Sequence, residues 1–167
     1  MDSLKHQINM IKPNINLTTQ ELGTSKMVLT NLLANSFVLY LKTHSFHWNV
    51  EGDQALEYHE LFEVQYREIW EAIDIIAERL RMIGFYAPAS SKELMHTSEI
   101  VEDGNILQAK NMIEVLHADH QTIIKSIRDG LKQMSSNSSF DEGTIELLKA
   151  RLASHEKTAW ILRALLS

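Results

Sequence analysis

The chain has no cysteine, and only two prolines and six glycines among its 167 residues. Without thiols it can form neither disulfide bonds nor thiolate metal sites. Few helix breakers, with recurrent Leu, Ile, Ala, Met, Glu and Lys, favour long helices. No uninterrupted apolar run approaches the roughly 18 residues that a membrane-spanning helix needs, and the first residues lack the apolar core of a signal peptide. We therefore expect a soluble, cytoplasmic, helical protein.

An excess of basic residues is also missing. Sixteen Lys and Arg stand against 22 Asp and Glu, which gives a formal net charge of −6 at pH 7. Binding to a phosphate backbone needs clustered Lys and Arg, so this charge argues against a general nucleic-acid-binding protein. The content of hydrophobic residues, 44%, is typical of a folded globular protein. At this length we expect one domain over residues 1–167.

Helical periodicity recurs in four long segments separated by short breaker clusters. Residues 1–17 are predicted to form a loosely ordered N-terminal arm. Capping boxes at Thr18–Glu21, Ser90–Glu93 and Ser139–Glu142 mark helix starts. The predicted long helices cover Thr18 to about Trp48, Ala55 or Leu56 to Met82, Ile106 to Met134, and Asp141 to Leu166. The second box opens a short helix through His96, so the prediction is an all-α four-helix bundle with an extra helix between its second and third helices.

Five candidate metal ligands at helix-compatible intervals lie within 32 residues: His47, His59, Glu63, Asp74 and Glu78. His59 and Glu63 are an i, i+4 pair, and so are Asp74 and Glu78, so each pair projects from one face of a helix. The two pairs begin 15 residues apart, which is about 22 Å along one helix. One site can use both pairs only if a second, antiparallel copy of the helix supplies one of them. A two-fold dimer does this and creates two equivalent sites.

Nitrogen and oxygen ligands in this mixture suit iron, manganese or zinc. The alternative is that the three carboxylates form a solvated acidic face. Glu114 and His117 form a Glu-x-x-His motif, but di-iron bundles need that motif on two helices and the second helix here lacks it. We therefore expect His117 and His120 at the surface. Trp70 and Trp160 lie at helical spacing with other aromatic residues, so we expect both in the core. Trp48, next to His47, fits either a packed helix end or an electron donor to an oxidant.

At these residues the sequence resembles the Dps family, the mini-ferritins named as DNA-binding proteins from starved cells. The resemblance is carried by His47-Trp48-Asn49-Val50, by Tyr58-His59-Glu60-Leu61-Phe62-Glu63, and by Asp74-Ile75-Ile76-Ala77-Glu78-Arg79. It implies a ferritin-like bundle assembled into a hollow dodecamer, with ferroxidase centres at two-fold interfaces.

The ligands implied by the resemblance are His47, His59 and Glu63 from one subunit, with Asp74 and Glu78 from its partner. Position 63 is often Asp in relatives, and Glu63 has a longer reach. The implied reaction oxidises ferrous iron, preferably with hydrogen peroxide, and stores the ferric mineral inside the shell. Iron enters such shells through acidic pores, for which Asp119 and Asp129 are candidates.

The family name predicts DNA binding, but the charges here do not. Relatives that bind DNA often use a lysine-rich arm, whereas residues 1–17 carry only Lys5 and Lys12 against Asp2. We therefore expect weak or absent DNA binding. Two other functions stay open: a nucleoid-compacting protein that shields DNA physically, and a shell that sequesters zinc or manganese without oxidising it.

Overall fold

The structure is a computed structural model, and it describes residues 13–101, 104–136 and 141–167. Five helices and no strand occur in these ranges. The helices are α1 (Thr19–Asn49), α2 (Ala55–Met82), α3 (Ser91–Thr97), α4 (Ala109–Ser136) and α5 (Glu142–Leu165). Four are long and α3 is a short helix in the connection between the second and third long helices. The predicted all-α bundle with its extra helix is confirmed.

Local capping explains where the helices begin. The Thr18 hydroxyl accepts from the Glu21 amide at 3.2 Å, and the Glu21 carboxylate accepts from the Thr18 amide at 2.8 Å, which completes the predicted capping box. Ser90 caps α3 in the same way through the Glu93 amide. Helix α2 has no side-chain cap. It follows a turn in which Gly52 adopts a φ of +111°, a conformation that disfavours any side chain.

The bundle consists of two helical hairpins, α1 with α2 and α4 with α5, which pack together through α1 against α4 and α2 against α5. Helix α2 shows how one helix divides its faces. Its buried residues recur every three or four positions, the spacing of a core-facing stripe; they are Phe62, Gln65, Ile69, Ala72, Ile76 and Leu80. The opposite side of α2 carries Glu63, Trp70, Asp74 and Glu78. The core therefore fixes the direction in which the candidate ligands project.

A buried carboxylate joins three helices at one end of the bundle. Asp141 caps α5 through the Thr144 amide, accepts the Ser25 hydroxyl of α1 at 2.6 Å, and pairs with Arg79 of α2. Burial raises the pKa of Asp141, but the hydrogen bonds from Ser25 and Thr144 and the charge of Arg79 outweigh it and lower the pKa overall. This network ties the C-terminal end of α2 to α1 and to the start of α5.

Several predicted boundaries are corrected by the structure. Helix α4 begins at Ala109 rather than Ile106, because residues 104–108 form an irregular, mostly exposed segment. Helix α5 is capped by Asp141 rather than Ser139, which lies outside the described residues. The first 12 residues of the predicted arm also lie outside them, and residues 13–17 are not helical. None of the helices described is long and apolar enough to cross a membrane.

Candidate metal centre

Two histidines face each other where α1 ends and α2 begins. His47 lies in the last turn of α1 and His59 near the start of α2, and the turn between the helices brings them side by side. Their rings stack with centroids 3.8 Å apart. His47 Nδ1 lies 2.9 Å from the His59 carbonyl oxygen, and His59 Nδ1 lies 2.8 Å from the His47 carbonyl oxygen. We call this reciprocal arrangement of His47 and His59 the histidine clasp.

The clasp determines which nitrogen of each ring can bind a metal. A carbonyl oxygen only accepts hydrogen bonds, so each Nδ1 must carry the hydrogen. In the neutral imidazole, Nε2 then holds the lone pair that a metal requires. Hydrogen bonds of this kind, from one ring nitrogen to a carbonyl oxygen, fix the tautomer and orientation of histidine ligands in metalloproteins. The backbone therefore prepares both rings as ligands.

Glu63 completes a group of three potential ligands. It lies one turn after His59 on α2, and one ligand atom each from His47, His59 and Glu63 lie within 4.8 Å of one another. Among the described residues this is the only such group of three or more His, Cys, Asp and Glu side chains. Two imidazole nitrogens and a carboxylate suit iron, manganese or zinc. We call these three residues the half-site.

Arg67 forms hydrogen bonds with one oxygen of the Glu63 carboxylate. Its Nε and Nη2 atoms donate to the same oxygen, Oε1, at 2.8 and 2.6 Å. The hydrogen bond with Arg67 is the largest influence on Glu63 and lowers its pKa, so the carboxylate stays ionised at neutral pH. The sequence pattern did not single out Arg67, although its i, i+4 spacing to Glu63 was a visible signal.

Aromatic side chains surround the half-site on the outer side of the α1–α2 hairpin. The His44 ring stacks on Tyr66 at 3.9 Å and lies 4.2 Å from Trp48, and the Tyr40 ring lies 5.1 Å from Trp70. We call these five residues the aromatic patch. Trp48 and Trp70 are 66% and 56% exposed in the single chain. The prediction that Trp70 packs in the core is therefore wrong, and Trp160, 59% exposed, is also outside it.

The structure of one chain does not bring all five predicted ligands together. Asp74 and Glu78 are exposed on α2 and are not members of the group formed by His47, His59 and Glu63. They lie further along the same outer side of α2, three to four turns from Glu63. Their role as ligands from a second copy stays a prediction.

The histidine predictions on α4 are partly wrong. His120 is buried inside the bundle, where its Nδ1 lies 2.9 Å from the Nδ1 of His155 on α5. The signal for burial was present, because His120 continues the apolar stripe of Met112, Leu116, Ile123 and Ile127. His117 is half-buried and Glu114 is exposed. The pore candidate Asp119 forms an ion pair with the buried Lys42 at 2.6 Å, whereas Asp129 pairs with Lys132 at the surface.

Known proteins have the same fold and similar sequences. The ferritin-like domain family matches residues 27–167. DNA protection during starvation protein 2 of Bacillus anthracis is 38% identical over 140 residues, which cover 84% of this chain and 94% of that protein. The crystal structure of a Dps protein from Bacillus brevis matches with a TM-score of 0.84 and 30% identity, covering 90% of this chain and all of that one. The chain belongs to the Dps family of ferritin-like proteins.

A second Dps structure links this family to its chemistry. The protein from Vibrio cholerae matches with a TM-score of 0.87 and 28% identity, covering 95% of this chain and 98% of that one. It is described as a member of a broad superfamily of ferritin-like diiron-carboxylate proteins. Membership of the Dps family therefore indicates an iron-binding mini-ferritin with a storage and protective function, and ferroxidase activity in general terms.

Proposed function

We propose that this chain is a ferroxidase and iron-storage mini-ferritin. It oxidises ferrous iron, preferably with hydrogen peroxide, at centres shared by two subunits, and it deposits the ferric product inside a hollow cytoplasmic dodecamer. The observation that carries this proposal is the half-site, in which hydrogen bonds to the backbone leave the Nε2 lone pairs of two histidines free beside a carboxylate. Ferrous iron is the substrate of these residues.

Three ligands leave the half-site open on one side. In the proposal, Asp74 and Glu78 of a second copy close it, because they lie on the same outer side of α2 and are too far along the helix to reach their own half-site. The aromatic patch supports docking at this face, since its exposed rings adjoin the half-site. Large exposed apolar groups gathered on one face are typical of an interface. An antiparallel pairing through α1 and α2 then forms two identical centres.

The proposed reaction consumes hydrogen peroxide without releasing hydroxyl radicals. Two ferrous ions each give up one electron, and the O–O bond of one hydrogen peroxide molecule takes both electrons with two protons to form two water molecules. Carboxylate oxygens stabilise the harder ferric product, and the imidazoles fix the positions of the ions. Because the two electrons come from neighbouring ions, no hydroxyl radical leaves the centre, and the protein protects other molecules from oxidation.

Physical shielding of DNA is the alternative function, suggested by the name of the Bacillus anthracis relative. The formal net charge of −6 per chain disfavours it, because an assembly of acidic subunits repels a phosphate backbone. We therefore propose weak or absent DNA binding and a protective effect based on iron chemistry. Tight, salt-sensitive retardation of DNA in a gel at neutral pH would contradict this part of the proposal.

Complementation between two inactive variants tests whether the centre is shared. The double variant His47→Ala, His59→Ala lacks the clasp, and the double variant Asp74→Asn, Glu78→Gln lacks the predicted second pair. In a mixed dimer, one centre has lost all four of these ligands and the other retains them all. Shells reassembled from an equal mixture should recover about a quarter of the wild-type rate of iron oxidation, because half of the dimers are mixed and each has one intact centre.

The reassembly experiment is read by stopped-flow absorbance after ferrous iron is added to homogeneous and mixed shells. Homogeneous shells of either variant should be nearly inactive with peroxide. If both retain the wild-type rate, the ferroxidase assignment is lost. If both are inactive and mixing restores nothing, the centre does not combine these ligands from two subunits.

A further inference from the structure

A positive charge lies directly beside the half-site. Arg67 donates from two nitrogens to Oε1 of Glu63, and these hydrogen bonds occupy an oxygen that a bound metal could use. In the single chain the side chains of Arg67 and Glu63 are 66% and 35% exposed, so water reaches the pair before a second copy docks. The charge of Arg67 also acts on His44, a residue of the aromatic patch. The pKa of His44 is lowered first by burial, then by His47 and by Arg67.

The pair can open at low cost. Exposed ion pairs contribute little net stability, because water solvates both partners well. The guanidinium lies 5.7 Å from the centroid of the Tyr66 ring, within the distance at which a cation is attracted to an aromatic face. A small rotation of its side chain therefore lets Arg67 leave Glu63 and remain over Tyr66.

We propose that Arg67 is a displaceable counter-ion of the metal centre: it neutralises Glu63 while the centre is empty and competes with the incoming metal ion for that carboxylate. This inference rests on the proposed function, because it takes the half-site as the place where iron binds. It makes Arg67 a positioning residue that sets affinity, since it acts through Glu63.

The counter-ion role has two consequences of opposite sign. In the proposed dimer, Glu63 faces Asp74 and Glu78 of the second copy, and three neighbouring carboxylates repel one another when no metal is present. Arg67 reduces that repulsion, so its removal should destabilise the empty assembly. The same removal frees the Glu63 oxygen and takes a positive charge from the site, so it should strengthen metal binding. A residue with a merely structural role would weaken both.

Zinc binding to the assembled, metal-free protein measures the competition without redox chemistry. We expect isothermal titration to give an affinity for Zn²⁺ roughly 3- to 10-fold higher in Arg67→Gln than in the wild type. Arg67→Lys, which keeps the charge but loses the two-pronged contact, should fall between them. Arg128→Gln is the matched control, because Arg128 forms another exposed arginine–glutamate pair, with Glu156 on α5, and its loss should not change zinc affinity.

Thermal unfolding of the same proteins gives the second readout. Metal-free Arg67→Gln should unfold at a lower temperature than the metal-free wild type, and saturating Zn²⁺ should raise its midpoint by more than it raises that of the wild type. Glu63→Gln provides a further check, because Arg67→Gln should have little effect on zinc affinity once the carboxylate for which Arg67 and the metal compete is gone.

The outcomes separate this inference from the proposed function. If the wild type binds Zn²⁺ and Arg67→Gln binds it equally or more weakly, the counter-ion role is refuted and the metal centre stands. An equal gain in the Glu63→Gln background also refutes competition for that carboxylate. If neither the wild type nor Arg67→Gln binds zinc, both the inference and the metal centre are refuted.

Discussion

The bundle contains two histidine pairs, and they differ in nearly every property that matters for metal binding. His47 and His59 stack at 3.8 Å at the end of a hairpin, each bonded through Nδ1 to a carbonyl oxygen, with Glu63 beside them. His120 and His155 lie with centroids 5.1 Å apart inside the bundle and are bonded to each other through their Nδ1 atoms. Similar residues on adjacent helices thus serve different purposes.

Neighbouring charges set the proton positions of the buried pair. Arg151 Nη2 lies 3.4 Å from His155 Nε2, and a guanidinium can only donate. The hydrogen of His155 must then be on Nδ1, where it is donated to His120, and the hydrogen of His120 must be on Nε2. That atom has no hydrogen-bond partner in the described part of the chain. The N–H group of His120 offers no lone pair, and the lone pair of His155 Nε2 accepts from Arg151, so in this arrangement neither ring presents a free nitrogen to a metal.

The hydrogen-bond partner of each Nδ1 atom decides what a histidine pair can do. A carbonyl oxygen leaves Nε2 free to bind a metal, whereas a second imidazole beside an arginine uses both rings for structure. Charge reinforces the difference, because the carboxylate of Glu63 adjoins the clasp and the cation of Arg151 adjoins the buried pair.

Metal affinity should distinguish the two pairs most strongly. We expect His59→Ala to weaken Zn²⁺ binding by about 100-fold or more, because it removes one of the three ligands and the ring that stacks on the other histidine. His155→Ala should leave zinc affinity nearly unchanged and instead lower the stability by about 2 kcal/mol, since it leaves buried polar groups without partners. Calorimetry and urea unfolding measure the two effects. A loss of zinc affinity in His155→Ala would show that the buried pair also contributes to metal binding.

The pH dependence of stability should come from the buried pair. Burial lowers the pKa of His120 to about 3 and that of His155 well below its usual value, so both stay neutral in the folded protein. Below about pH 6.5 the unfolded chain binds protons at these residues and the folded chain does not, so stability falls as the pH decreases toward 3. Each histidine should contribute about 1.4 kcal/mol per pH unit.

Urea unfolding between pH 7 and 5 measures this slope. The double variant His120→Leu, His155→Leu should show a flatter dependence than the wild type, whereas the double variant His47→Ala, His59→Ala should keep the full contribution of the buried pair. Equal slopes in the wild type and the leucine variant would show that other groups control the acid sensitivity.

The smallest expected effect concerns the turn between the clasped residues. Gly52 adopts a φ of +111° and nothing lies within 4 Å of the position of an added Cβ, so Gly52→Ala strains the backbone without a clash. The cost should be about 1 kcal/mol in urea unfolding. Zinc affinity should change by less than about two-fold, because the hydrogen bonds of the clasp hold the orientation of the two rings. A large loss of affinity would show that the turn geometry sets the half-site.

The sequence predicted the elements best where local signals and packing agree. The capping residues Thr18 and Ser90 are confirmed because each satisfies a free amide of its own helix. Asp141 displaces Ser139 as the cap of α5 because it also binds Ser25 and Arg79, which are more than 60 residues away in the sequence. Such long-range partners are not visible in a local pattern.

The candidate site also combines features that a local sequence pattern predicts with features that only the folded chain reveals. The sequence predicts His47, His59 and Glu63 as ligands from one subunit, and the structure brings these three side chains together. Which nitrogen of each ring is free depends on carbonyl oxygens that only the folded hairpin brings into place. Trp70 was assigned to the core because aromatic residues at helical spacing usually pack there. It follows the buried Ile69 and points to the other side, where a single chain provides no cover.

The clasp also has a consequence for protein engineering. Because the two helix ends are tied by main-chain oxygens, the exposed residues 51–53 between them contribute no side chain to the tie. Lengthening a surface connection costs only about 0.6 kcal/mol for each doubling of its length. Foreign peptides grafted at this hairpin tip should therefore be tolerated, which would offer a display position beside the proposed metal centre.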